Sequence, residues 1–162
     1  MNPHYVIDGY NFIHKIPKFK EAVEQSLEQA RNLLISVMKT YLATKHIQIT
    51  LVFDGDFVGF ANKIDQSTER LKIIFSSSPE KADPLIKRLI RKEKNKKALM
   101  LISADNDLIH YCKMLGANVL SPELFFYQLS KATEPDQMEQ KYNNEISEHE
   151  LNEWMNIFGV KE

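Results

Sequence analysis

Short apolar runs alternate along this chain with longer stretches in which apolar side chains return every third or fourth position. The short runs lie at 4–8, 47–53, 71–75, 99–103 and 118–120; rich in Val, Ile, Leu and Phe, they have the length of buried strands. Between the first two, Val23, Leu27, Ala30, Leu34, Val37 and Tyr41 recur at helical spacing, which predicts a helix over about 19–44 with one buried stripe. Ser26 followed by Gln29 has the form of a capping box, so this helix is expected to break and restart there. Asp83 as N-cap with Pro84 at the first helical position opens a helix to about Lys94, with Leu85, Ile86, Leu89 and Ile90 on its apolar side. A further helix spans 106–115 before Gly116, and another starts at Ser121–Pro122 and runs to about Lys131. The stretch 55–67, with DGDFVGFAN, is expected to be a loop.

Strands alternating with helices imply βαβ units, hence an α/β fold with a parallel sheet covered by helices on both faces. At 162 residues and 43% hydrophobic content, one core suffices. The expected division is a domain at 1–132 and an acidic linker with a C-terminal helix at 133–162. In that tail Ser147 and Glu150 form a second capping pattern ahead of Leu151, Trp154, Met155 and Phe158, with Gly159 as a stop.

No run of about 18 apolar residues occurs, and the N-terminus enters a strand without a basic stretch and apolar core, so a cytoplasmic protein without a membrane anchor is expected. The single cysteine, Cys112, is read as a packing residue, and one cysteine cannot build a structural zinc site. The dinucleotide, P-loop, GxSxG and HExxH motifs are missing.

The net charge of −1 conceals segregation: 81–97 holds eight Lys/Arg against Asp83 and Glu93, a net +6, whereas 134–162 is −6. The basic run fits either a polyanion-binding face or a solvated helix.

The candidate chemistry lies in five aspartates, Asp8, Asp54, Asp83, Asp105 and Asp107, each placed where an apolar run ends or a helix starts. A parallel sheet gathers such strand ends on one edge, where ligands of open α/β sheets bind. Carboxylates collected there suit Mg²⁺ or Mn²⁺, hard ions that also bridge to substrate phosphates. Each acid also has a structural reading: Asp8-Gly9 as an Asx turn, Asp83 as a cap, Asp105 and Asp107 as cap or dipole partner.

Four segments, VIDGYNFIH, LVFDG, EKADPLIKRLI and LISADNDLIHYCKMLGANVLSPELF, resemble in order and context the YacP-like NYN domain family of the PIN-like nuclease superfamily, from about His4 to Leu129. The resemblance implies a PIN-like three-layer α/β/α sandwich with a central, mainly parallel sheet, here carrying a C-terminal helical tail. It also implies a metal-dependent endoribonuclease acting on single-stranded RNA, with messenger RNA and, in some members, the ribosome as partners.

Carried over residue by residue, Asp8, Asp83 and Asp105 match the family's acidic positions, Asn11 matches the motif Asn, and Asp54 is a supporting acid. With Asp107 they would hold one or two Mg²⁺ or Mn²⁺ ions for in-line hydrolysis leaving 5′-phosphate and 3′-hydroxyl ends. Lys15, Lys18, Lys87, Arg88, Arg91 and Lys92 are candidates for the RNA backbone. Tyr10, Phe57 and Phe60 are candidates for base stacking or for packing. The rivals are a PIN-like module that binds RNA or a ribosome without cutting, and a phosphatase or DNA nuclease built on the same acids.

Overall fold

The computed structural model describes residues 2–55, 66–77 and 79–132. Five strands, β1 (His4–Asp8), β2 (Gln48–Phe53), β3 (Leu71–Phe75), β4 (Leu99–Ile102) and β5 (Asn118–Leu120), form a sheet in the order β3-β2-β1-β4-β5. Every neighbouring pair is parallel. The six helices are α1 (Gly9–Lys15), α2 (Pro17–Gln25), α3 (Leu27–Leu42), α4 (Ala82–Lys92), α5 (Asn106–Met114) and α6 (Pro122–Ala132).

The strands are mostly apolar because both faces of the sheet are covered. Alternate residues serve the two sides: Ile7, Leu51, Phe53 and Ile102 pack into a core with α1, α2, α3 and α6, while Val6, Val52, Leu99 and Leu101 pack with α4 and α5. The result is the expected three-layer sandwich. Cys112 is buried in the second core, and desolvation pushes its thiol up to about 11, so it packs and has no nucleophilic character at neutral pH.

Three helix starts are instructive. The break at Ser26 is present, and its Oγ accepts from the Gln29 backbone N–H at 3.0 Å as the first hydrogen bond of α3. The helix bearing Asp83 starts earlier than expected: Lys81 is its N-cap and Asp83 and Pro84 lie inside the first turn. The first-turn amides have no intrahelical acceptor, so proline loses nothing at the third helical position and marks the start only loosely. Helix α1 follows β1 with no intervening turn, where an Asx turn at Asp8-Gly9 was one expectation.

Most of the expected 55–67 loop and all of the 133–162 tail, with Trp154, lie outside the described residues. Among the described residues no helix is long and apolar enough to cross a membrane.

Candidate active site at the sheet switch point

From β1 the chain winds to β2 and β3 on one side, then crosses to β4 and β5 on the other, so the strand order reverses between β1 and β4. Loops leaving the sheet at such a point part in opposite directions and open a crevice at the carboxyl ends. Asp8 closes β1, paired in register with Val52; Asp54 follows β2, Asp105 lies three residues beyond the end of β4, and Asp83 enters from the first turn of α4.

Asp8 occupies the N-cap position of α1; its side chain makes no well-formed capping hydrogen bond there, and only the Asn11 backbone N–H lies near its carboxyl. It is only 8% exposed. Burial first, then the negative charges of Asp83, Asp105 and Asp54, raise its pKa to about 7, opposed by the nearby Asn11 backbone N–H. Asp83 is pushed up as well, by burial, then by Asp105 and Asp107, with Lys87 pulling the other way.

Asp105 resolves its two readings by satisfying both. Its Oδ1 accepts from the backbone N–H groups of Asp107 and Leu108, at 2.9 and 3.2 Å, and so caps α5. Both bonds go to one oxygen, and the carboxyl still stands within hydrogen-bonding reach of Asp83. Asp107, more exposed, pairs with Lys87 Nζ at 2.6 Å. Asp83, expected to be the N-cap, lies in the first turn of α4 instead, where its carboxylate complements the helix dipole and remains open to the crevice.

Asn11 ties the crevice together from below. Its Oδ1 accepts from the Ala104 backbone N–H at 2.9 Å, linking α1 to the segment that carries Asp105 across the switch point. Ser103, to which the sequence reading gave no role, is buried, and its Oγ accepts from the Asp105 backbone N–H at 3.0 Å. Its position two residues before an aspartate is the local signal of such a turn. On the β2 side Ser76 plays the same part, its Oγ accepting from Gly55 N–H beside Asp54.

Lys87, Arg88, Arg91 and Lys92 share the side of α4 opposite its buried stripe, while Lys15 and Lys18 lie on α1 and α2. Lys87 is held by Asp107 and Arg88 by Glu80, whose carboxylate lies at 2.6 and 3.4 Å from its two terminal nitrogens. Arg91 and Lys92 are exposed but sit at the other end of α4, about 12 Å from Asp83 along the axis. Lys15 and Lys18 are exposed after the acid edge, at the end of α1 and the start of α2.

Tyr10 is not a stacking platform: it is buried, packs on Phe53 at 5.1 Å between centroids and accepts from Arg31 Nη1 at 3.0 Å. Phe57 and Phe60 lie outside the described residues.

Among the described residues no three His, Cys, Asp or Glu side chains are gathered closely enough to hold an ion as they stand. The donor set nonetheless fits a hard divalent cation. Mg²⁺ commonly takes one or two carboxylates and completes its shell with water and substrate phosphate, so three preformed ligands are not required. Asp8 and Asp83, each raised by its acidic neighbours, are the carboxyls with most to gain from a cation between them.

A parallel sheet with carboxyls along the edge at its switch point is the architecture of nuclease-like α/β domains. Over residues 5–158 it matches the YacP-like NYN domain, and it belongs to that family, part of a nuclease superfamily. It is 34% identical over 84 residues to the uncharacterized protein YacP of Bacillus subtilis (strain 168), a match covering 52% of this chain and 49% of that protein. The match therefore spans about half the length of that curated relative.

The fold is similar to the crystal structure of Rae1 (YacP) from Bacillus subtilis in its W164L form, with a TM-score of 0.69 and 23% identity over 96% of this chain and 91% of that one. A second crystal structure of Rae1 gives a TM-score of 0.68 and 24% identity over 88% and 80%. Both likenesses concern the fold.

Proposed function

We propose that this protein is a metal-dependent endoribonuclease that cuts single-stranded RNA in the cytoplasm, with messenger RNA on the ribosome as its setting. The observation that carries this reading is the burial of Asp8 at the switch point among Asp83, Asp105 and Asp54, an arrangement that costs stability once Asp8 is ionised and that a bound cation would relieve. Asp8, Asp83, Asp105 and Asp107 would hold one or two Mg²⁺ or Mn²⁺ ions. Such ions supply charge neutralisation for the attacking water and the leaving 3′-oxygen in an in-line displacement.

The chain's own residues do the rest. Asn11 and Ser103 fix the backbone that presents Asp105, α5 anchors that carboxyl through its first amides, and Lys87 orients Asp107 at the mouth. Lys15 and Lys18, exposed at the end of α1 and the start of α2, would meet the RNA backbone, a contact that weakens steeply with salt.

The loose spacing of the acids favours one alternative, a PIN-like module that binds RNA or a ribosome without cutting. The deciding experiment is incubation of a long single-stranded RNA with purified protein and Mn²⁺ or Mg²⁺, beside EDTA and Asp8→Asn controls, then with translating ribosomes. Internal cuts that disappear in both controls are expected. RNA that is bound and left intact in every mixture would establish the binding module instead.

A further inference from the structure

A cavity of about 180 Å³ lies between α3 and β3, lined by Glu28, Arg31 and Asn32 of the helix, by Gln66, and by Ile73 and Phe75 of the strand. Arg31 is only 4% exposed, and its hydrogen bond is to a neutral group, Tyr10 Oη. A buried guanidinium without a carboxylate partner is costly, since a phenol does not offset a full charge. Among the described residues no buried side-chain nitrogen or oxygen lacks a partner, so the other N–H groups of Arg31 reach solvent, and the cavity is the solvent they meet. Glu28 lines the same cavity one turn earlier on α3, and no ion pair joins it to Arg31 among the described residues. The guanidinium N–H groups not spent on Tyr10 and the Glu28 carboxylate thus share one small space, with no ion pair between them among the described residues.

The cavity adjoins the acid edge. Tyr10 follows Asp8 by two residues, feels the charge of Asp54 and packs on Phe53, which stacks at 5.5 Å on Phe75 in the cavity wall. Helix α3 runs back toward the start of β2, so its first half, with Glu28 and Arg31, lies at the carboxyl end of the sheet. At about 180 Å³ the space is below the roughly 300–1,000 Å³ of pockets for drug-sized ligands, which suits one planar base and not a whole nucleotide cofactor. The apolar walls from Ile73 and Phe75 disfavour a phosphate, as does the Glu28 carboxylate.

We infer that this cavity is a base pocket of the same RNA site, in which Arg31 and Glu28 select a guanine next to the cut. The guanidinium fork matches O6 and N7, the commonest specific contact that arginine makes with a base, and Glu28 accepts from the N1–H and N2–H groups. The inference rests on the RNA reading above. It assigns Arg31 to substrate selection, which neither the acids nor the basic run supplies.

The test measures binding of short oligouridylates carrying one internal G, A, C or U to full-length Asp8→Asn protein in Mg²⁺, then to the same protein with Glu28→Gln or Arg31→Lys. The G oligonucleotide should bind about tenfold or more tightly than the all-U strand. Arg31→Lys should abolish that preference while all-U binding stays within about twofold. Glu28 is exposed, so Glu28→Gln folds even if the buried arginine variant does not, and it should weaken the guanine preference alone. Equal binding of all four strands, or a preference that survives Glu28→Gln, overturns the pocket and leaves the nuclease reading intact. No binding of any strand overturns both.

Discussion

His4 and Asp8 stand on the same face of β1, four residues apart, and meet opposite fates. At the amino end His4 is satisfied on both sides, its Nδ1 3.0 Å from Glu93 Oε2 and its Nε2 2.8 Å from Thr50 Oγ1. At the carboxyl end the neighbours that govern Asp8 electrostatically are Asp83, Asp105 and Asp54. One helix serves both ends: α4 gives Asp83 from its first turn and Glu93 just past its last, about 15 Å away along the axis. The protein can therefore neutralise a charge on this face, and does so where the sheet only needs closing. Where the strand order reverses, it leaves carboxyls against carboxyls, a local loss of stability characteristic of a working site.

The sharpest way to break that contrast is Asp8→Asn. If the acid edge acts as proposed, RNA cleavage falls at least about a hundredfold while the fold gains stability. The folded pKa of Asp8, about 7, lies above its usual 3.8, so the folded state holds a proton that the unfolded chain releases as pH rises between those values. Stability contributed by the protonated form is present at low pH and lost by about pH 7. Relieving it should stabilise the metal-free variant at pH 8 by on the order of 2–4 kcal/mol in urea unfolding, shrinking to a few tenths at pH 4. Equal stability of variant and parent at both pH values would show that the acid edge carries no stored repulsion.

Cations sharpen the contrast from the other side. Mg²⁺ or Mn²⁺ binding only the native state adds RT ln(1 + [L]/Kd), about 2.7 kcal/mol at a hundredfold excess over Kd. Melting curves at pH 8 should rise with millimolar Mn²⁺, and the rise should fade toward pH 5 as Asp8 takes up its proton. A melting temperature indifferent to both ions at pH 8 would count against the proposed ligands and favour the binding module.

What sequence made legible of this contrast follows from range. The strands and the Ser26 break depend on neighbours a few residues apart, and the spacing of apolar positions shows them directly. The acids could be named because strand ends in a parallel sheet must share an edge. Asp83 was placed as a cap because Asp-Pro satisfies the local rule, and only the structure shows the helix starting two residues earlier at Lys81. The His4–Glu93–Thr50 cluster and the Arg31–Tyr10 bond had no local signature at all; His4 and Glu93 are 89 residues apart, and α4 alone brings them together. Within the basic run, Lys87 and Arg88 are taken up in ion pairs with Asp107 and Glu80, contacts across 20 and 8 residues that a charge count along the sequence does not show.

Gly9 tests how tightly the acid edge is held. A Cβ there would lie 2.3 Å from Phe53 Cε1, inside any permitted contact, and the ring is pinned between Tyr10 and Phe75. Gly9→Ala gains helix propensity but must displace that ring, for a net loss of about 1–3 kcal/mol. Because Asp8 is the preceding residue, cleavage should drop with it. A variant as stable as the parent would mean that Phe53 can turn aside.

The smallest effect belongs to the amino end, and it is the control for all the others. His4 holds the Glu93 carboxyl below its usual range, with the Asn95 backbone N–H assisting. A lowered pKa contributes stability above the unfolded value of 4.5, lost as pH falls through the folded one. The pair is partly exposed, with 20% and 28% of the two side chains accessible, so screening limits its worth to about 0.5–1 kcal/mol. Glu93→Gln should therefore cost that much at pH 7 and progressively less as pH falls through the folded pKa, with RNA cleavage within about twofold of the parent. If cleavage instead fell tenfold, α4 would be transmitting strain from its Glu93 end to Asp83, and the two ends of the sheet could no longer be treated as a closed seam and an independent working edge.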